Sequence, residues 1–203
     1  MNITVIGGSR GTGAQVAIAA RQAGHDVTVV SRRGTVPAGT RAVTGSATDP
    51  AVLREALAGA DAVVVTVGAT RGRRHARAEV TRAVIAAMKE AGVRRLLVQS
   101  SLGAGNSATQ LPVPLRQVMQ MLLRKPLADH NEQEEEVRTS GLDWTIVRPT
   151  GLRNAPPTDQ VRALEVSSPE TLSATVPRID LARFMLGTLD DESTIRKAYG
   201  VSS

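Results

Sequence analysis

The sequence has no cysteine, and its 203 residues include one Phe, one Tyr and one Trp. Without cysteine there is no disulfide, no thiolate nucleophile and no thiolate metal site, so no metal centre is expected and a reducing cytoplasm suits the composition. So few aromatics leave no platform on which nucleobases stack. That absence matters because the net charge is +6, and a basic chain raises the question of nucleic acid. The basic residues are mostly arginines scattered among Ala, Val and Gly, with one cluster at Arg71, Arg73, Arg74 and Arg77. Lacking both stacking aromatics and a recognisable module, the chain is expected to have no nucleic-acid partner. Long apolar runs are missing too. None approaches the roughly 18 residues of a spanning helix, so no membrane association is expected. The chain runs straight into a strand pattern, which predicts no secretory leader and a cytoplasmic location. One domain over 1–203 is expected from the length, with core enough to need no staples.

What is present is concentrated at the start, between Asn2 and Arg33. Ile3, Val5 and Ile6 form a β-branched run of the kind found in strands buried on both faces. The run breaks at Gly7, and Gly11 and Gly13 follow. Ala14 to Ala23 reads as a helix that stops at Gly24, and Val27 to Val30 reads as a second strand. Strand, glycine turn, helix and strand make the βαβ unit that binds dinucleotides. Gly7 turns the chain out of the strand. Gly11 lets backbone approach a pyrophosphate, and Gly13 lets the helix pack on the sheet. The helix start at Thr12 offers N–H groups and the positive end of a dipole to a phosphate, while Ser9 and Thr12 add hydroxyls. A Gly-rich turn serving only as a connection is the plainer alternative, and the surrounding pattern argues against it.

The end of the second strand bears on which dinucleotide. An NAD site places Asp or Glu about twenty residues beyond the motif to hold the ribose 2′-hydroxyl. Here Ser31, Arg32 and Arg33 occupy that place. The planar guanidinium fork suits a 2′-phosphate, and Arg10 in the glycine loop is within reach of the same group. NADP(H) is therefore the expected cofactor, against the alternative that Arg32 and Arg33 are solvated loop charges.

Further on, strands are read at Ala42–Gly45, Asp61–Gly68, Arg95–Gln99 and Asp143–Pro149. Asp49-Pro50 starts a helix through Leu53 and Leu57, and Val80, Ala83, Val84, Ala87, Met88 and Ala91 mark another. The alternation predicts an α/β fold, a doubly wound parallel sheet with ligands at the carboxyl ends of its strands. Ser9, Gly68, Ala69, Ser100 and Ser101 converge there. Segments 102–127 and 151–178 are expected on the substrate side, the first carrying an amphipathic helix from Pro114 with Leu115, Val118, Met119, Leu122 and Leu123 on one face. In a helix from Ala128 to Ser140, Leu127, His130, Glu134 and Val137 share a face; Glu132, Glu135, Glu136 and Arg138 read as solvated. His130 is either a site residue or satisfied structurally, with His130 and Glu134 holding each other across one turn or capping a loop. Thr158–Pro177 reads as irregular with one strand at Val161–Val166. A helix at Ile179–Leu189 and a strand around Tyr199 close the chain.

These marks resemble the atypical short-chain dehydrogenase/reductases, the group of NmrA-like proteins and biliverdin reductase B-like flavin reductases. The resemblance rests on Gly-Gly-Ser-Arg-Gly-Thr-Gly at 7–13, Val-Thr-Val-Val-Ser-Arg at 27–32, Ser100-Ser101, Asp129-His130 and above all the run from Ser140 to Arg148-Pro149. It implies an NADP-binding Rossmann domain with the nicotinamide near Ser101, Pro149, Thr150 and Gly151. Ala47 and Thr48 join the cofactor candidates beside Ser46, which stands where many relatives have an Asp. His130 matches a histidine at the mouth of the family's substrate pocket. The Tyr-x-x-x-Lys pair of the typical enzymes is absent, since the one tyrosine is Tyr199. What the resemblance then implies is an NADPH-dependent reductase of a flat conjugated acceptor (a flavin, quinone or tetrapyrrole) acting as monomer or homodimer, with Ser101 binding the acceptor and His130 orienting it or relaying a proton. The alternative is a non-catalytic NADP(H) sensor of the NmrA-like kind.

Overall fold

The β-branched opening run forms β1 (Asn2–Ile6), and the alanine-rich stretch after the glycines forms α1 (Gly11–Gln22). A computed structural model describes residues 1–68, 75–111, 116, 124–166, 168 and 170–203. Then come β2 (Asp26–Ser31), β3 (Arg41–Thr44), α2 (Pro50–Leu57), β4 (Ala62–Val65), α3 (Ala76–Ala91) and β5 (Arg95–Gln99). The later elements are α4 (Arg124–Thr139), β6 (Asp143–Pro149), β7 (Gly151–Arg153), β8 (Arg162–Glu165), β9 (Thr175–Pro177), α5 (Arg178–Leu189) and β10 (Lys197–Ser202). The helix expected from Pro114 lies outside the described residues.

Among the described residues, one sheet of eight strands runs in the order β3-β2-β1-β4-β5-β6-β10-β8. Its pairs are parallel except β10 with β8. The strand order reverses between β1 and β4, and the crevice at that reversal is where such sheets take ligands. The fold is thus the doubly wound Rossmann type expected. Among the described residues no helix is long and apolar enough to cross a membrane.

Each face of the sheet carries its own core. Val16, Ala17 and Ala20 of α1 and Leu181, Ala182 and Met185 of α5 pack with Ile3, Val5 and Leu97 on one side. Leu53 and Leu57 of α2, Val84 and Met88 of α3 and Val137 of α4 pack with Ile6, Leu96 and Ile146 on the other. Side chains alternate across a strand, so Thr4 points between Ile3 and Val5 into the second layer. It is buried there with its hydroxyl donating to the Ala56 carbonyl at 2.7 Å.

The helix expected from Ala128 begins four residues earlier, at Arg124. Two further features differ from the sequence reading. α3 begins a turn earlier than its apolar repeat, because the Asp129 carboxylate accepts from the Arg77 and Ala78 N–H groups, each at 3.2 Å. Thr158–Pro177 is less irregular than expected: besides β8, it holds β9, which pairs in parallel with β7 as a separate two-stranded sheet. Strands of three residues are too short for an alternation pattern to register.

Candidate functional site

The glycine loop leaves β1 and enters α1 at the strand-order reversal. Gly7 and Gly11 have φ of +84° and +62°, where a side chain is strained. Gly13 is fixed by space instead. A Cβ there would collide with the Thr66 hydroxyl and lie 2.5 Å from the Gly7 carbonyl oxygen. The loop is thereby pressed onto β4, and α1 starts flush with the sheet. At its cap position Arg10 makes no side-chain cap hydrogen bond, and no acid lies in the first turn. The helix end is left open to an anion.

Beside it lies a cavity of about 380 Å³. Of the residues expected to bind cofactor, Gly7, Ser9, Arg10, Gly11, Thr12, Arg32, Ala47, Thr48 and Gly68 line it. Gly13 sits beneath, and Arg33 lines an adjoining hollow of about 420 Å³ with Ser9, Arg10, Ser31, Arg32 and Thr35. Ala69 lies outside the described residues. Three arginines, Arg10, Arg32 and Arg178, line the cavity, and none of its described lining residues is acidic. Two lining groups are buried without a hydrogen-bond partner: the hydroxyl of Thr12, a residue 5% exposed, and the side-chain oxygen of Gln99. Native interiors rarely leave such groups unmet. Positive charge, an uncapped helix start and two orphaned polar atoms fit a phosphate-bearing ligand rich in hydrogen-bonding groups.

The other expected residues lie elsewhere. Pro149, Thr150, Gly151, Ser100, Ser101 and His130 do not line this cavity among the described residues. Thr150 and Gly151 spend their N–H groups on Val201 and Ala174, and the Pro149 carbonyl accepts from Leu102. Leu152, one residue on, does reach the wall. Ser101 is half-buried with its hydroxyl on the Leu102 carbonyl at 3.3 Å. The Ser100 hydroxyl is sealed and donates to Glu134 Oε1 at 2.7 Å.

His130 and Glu134 do not hold each other. Glu134 is taken by Arg148, whose Nε and Nη2 donate to Oε1 and Oε2 at 2.8 and 2.6 Å. Burial alone would raise the Glu134 pKa, but Arg148 and the Ser100 hydroxyl override it and hold it below the usual carboxylate value. His130 Nδ1 instead meets Gln133 Oε1 at 3.2 Å. The imidazole is 7% exposed. Burial first, and the nearby Arg77 charge second, bring its pKa down to about 4. It is therefore neutral at physiological pH. Asp129 is structural, capping α3 and pairing with Arg77 Nη1 at 2.9 Å. Arg77 is thus an interior residue and no part of an exposed basic patch, while Arg71, Arg73 and Arg74 lie outside the described residues. Glu132 and Glu136, expected to be solvated, pair with Arg82 of α3, and Arg138 lies over the Trp144 ring at 5.2 Å.

Sequence reasoning missed Thr66, Gln99 and Arg178 as lining residues. Gln99 precedes Ser100-Ser101 at a strand end and was within reach of the pattern. Arg178, at the end of a segment read as irregular, carried no signal.

Comparison with known proteins adds to this geometry. The family model described as NAD(P)H-binding matches residues 7–192. A Bacillus subtilis (strain 168) protein described as an uncharacterized sugar epimerase, YhfK, is 25% identical over 158 residues, covering 75% of this chain and 68% of the relative. The structure of ChuY, described as an anaerobillin reductase from Escherichia coli O157:H7, aligns with TM-score 0.84 and 23% identity over 100% of this chain and 97% of its own. A wide-type short-chain dehydrogenase/reductase from Veillonella parvula DSM 2008, solved in complex with NADP, aligns with TM-score 0.83 and 20% identity over 100% and 94%. At these identities the structural likeness concerns the fold.

Proposed function

The chain belongs to the NAD(P)H-binding family, and on that premise we propose that it is a reductase that binds NADPH and passes hydride to a flat conjugated acceptor such as a flavin or quinone. The observation that carries the cofactor half is the charge of the cavity. Arg10 and Arg32 line it with no acid among the described lining residues, and Arg33 stands in the hollow beside it. A carboxylate that would hold a 2′-hydroxyl is missing at the end of β2, where Ser31 and Arg32 stand instead. Arginine forks grip phosphate oxygens in pairs, so the 2′-phosphate of NADP(H) is the better fit. The open first turn of α1 and the Thr12 hydroxyl take the diphosphate, and the Gln99 oxygen accepts from an N–H or O–H of the ligand.

When bound, the nicotinamide supplies the hydride. The chain contributes position and exclusion of water. With no Tyr-x-x-x-Lys pair, and with His130 neutral and buried away from the cavity, no imidazole, tyrosine or lysine stands among the described lining residues to protonate an alkoxide. Acceptors whose reduced form takes its proton from water suit such a site. Its expected partner is this small molecule, with the protein as monomer or homodimer in the cytoplasm.

A second reading, a non-catalytic NADP(H) sensor, draws on the positions of Ser101 and His130. The Ser101 hydroxyl lies on the Leu102 carbonyl and His130 is buried against Gln133, and neither lines the cavity among the described residues.

Steady-state oxidation of NADPH and of NADH, with FMN and a quinone as acceptors, tests the proposal. Turnover with NADPH exceeding that with NADH is expected. Tight NADPH binding with no turnover on either acceptor would replace the reductase by the sensor, and a preference for NADH would overturn the assignment of Arg32 and Arg33.

A further inference from the structure

The third cavity arginine comes from the far end of the chain. Arg178 opens α5, yet its Nε lies 3.7 Å from where a Gly11 Cβ would stand, directly over the turn that starts α1. It does not line the hollow formed by Ser9, Arg10, Ser31, Arg32, Arg33 and Thr35. The positive charge of the cavity and its adjoining hollow is thus divided: Arg10, Arg32 and Arg33 on the β2 side, Arg178 at the mouth of α1.

The position of Arg178 is electrostatically unfavourable in the free protein. A cation in the first turn of a helix faces the positive end of that helix's dipole, and α1 brings a second positive end to the same place. Among the described residues Arg178 makes no ion pair, and Asp180, the one acid in the first turn of α5, is turned to Thr158 instead. Asp180 Oδ2 accepts from the Thr158 N–H and hydroxyl at 2.9 and 2.7 Å. The neutral partner of Arg178 is Asn154, whose Oδ1 accepts from Nη1 at 2.9 Å and steadies the side chain without neutralising it. A guanidinium with no ion pair among the described residues, the acid-free start of α1 and the orphaned Thr12 hydroxyl meet at one spot. The missing component is an anion.

We infer that Arg178 is the counter-charge for the cofactor's diphosphate, gripping it opposite the glycine loop while Arg32 and Arg33 hold the 2′-phosphate. This rests on the reading of the chain as an NADP(H) protein. Because Arg178 is held by Asn154, just after β7, the same contact joins the C-terminal segment to the bound cofactor. Arg178 then serves NADPH and NADH alike, and discrimination between them lies with Arg32 and Arg33.

Binding of NADPH, NADH and adenosine 2′-monophosphate, which has no diphosphate, is measured by calorimetry for wild type, Arg178→Gln, Arg178→Lys and Arg32→Ala. Arg178→Gln is expected to weaken both dinucleotides by about tenfold or more, the worth of a hydrogen bond to a charged group, and to leave the monophosphate within about twofold. Arg178→Lys recovers part of the loss, since charge is kept and the fork is not. Arg32→Ala does the reverse of Arg178→Gln, weakening NADPH and the monophosphate and sparing NADH. If wild type binds NADPH but Arg178→Gln binds both dinucleotides equally well, the role of Arg178 is overturned and the NADP(H) reading stands. Equal weakening of the monophosphate would also overturn it, by showing general damage to the site. Failure of wild type to bind either dinucleotide would overturn both readings.

Discussion

Arg148 of β6 and Glu134 of α4 form a two-pronged ion pair inside the protein, at 2.8 and 2.6 Å, with Arg148 0% and Glu134 2% exposed. Ser100, at the end of β5, donates to the same carboxylate. β6, α4 and the residue that follows β5 are therefore pinned at one point. A buried charge that loses its partner is far more costly than a missing pair. Arg148→Met leaves Glu134 the Ser100 hydroxyl and the more exposed Arg138 at 3.6 Å, and should cost about 3 kcal/mol in urea unfolding; Arg148→Met combined with Glu134→Leu should recover most of it. A double variant no better than the single one would refute this account of the pair.

Acid should act through His130 before it acts through Glu134. The folded protein holds the imidazole neutral to about pH 4, whereas the unfolded chain takes up a proton near pH 6.5. Between those values the unfolded state binds more protons, so stability falls as pH drops from about 6.5 toward 4. The depressed Glu134 pKa adds its loss only below the ordinary carboxylate range. Urea midpoints of wild type and His130→Asn across pH 5 to 7 check this. The wild-type curve should slope, and the variant's should be flatter.

Thr12→Val removes a hydroxyl that has no partner in the free protein. Valine keeps the shape, so the free protein should unfold at the same or higher urea concentration. NADPH binding should weaken, since the hydroxyl finds its partner on the ligand. A variant that lost stability and kept its affinity would mean that the hydroxyl serves the fold instead.

Gly13→Ala should be severe. Its Cβ meets the Thr66 hydroxyl on one side and the Gly7 carbonyl on the other, so α1 must lift from the sheet at a cost of about 1–3 kcal/mol. Adding Thr66→Ala removes only one of the two obstacles and should not restore stability. Thermal unfolding of the single and double variants decides it.

The sheet was legible because its central strands are nearly continuous apolar runs closed by glycine or proline. β5 and β6 lie at the bounds read from the sequence. The glycine loop was equally plain, since chain geometry demands its glycines. What escaped was contact between distant segments. Helical spacing suggested His130 as the partner of Glu134, but the true partner, Arg148, comes from β6 and obeys no spacing rule. Arg178 reaches the cavity because α5 packs against α1, a fact of tertiary structure that local pattern does not encode. β7 and β9 each hold too few residues to show a period.

The pairing of β7 with β9 bears on how far the chain between them can change. Leu152 touches the cavity, and the two strands hold the ends of the intervening stretch 154–174 together like a clasp. Within that stretch β8 joins the main sheet at its rim, where among the described residues β10 is its one neighbour. An excursion whose ends already meet can be lengthened or shortened at a small entropic cost, provided Asn154 keeps its hold on Arg178. The clasp is thus a point at which the outer wall can change length while the crevice keeps its frame.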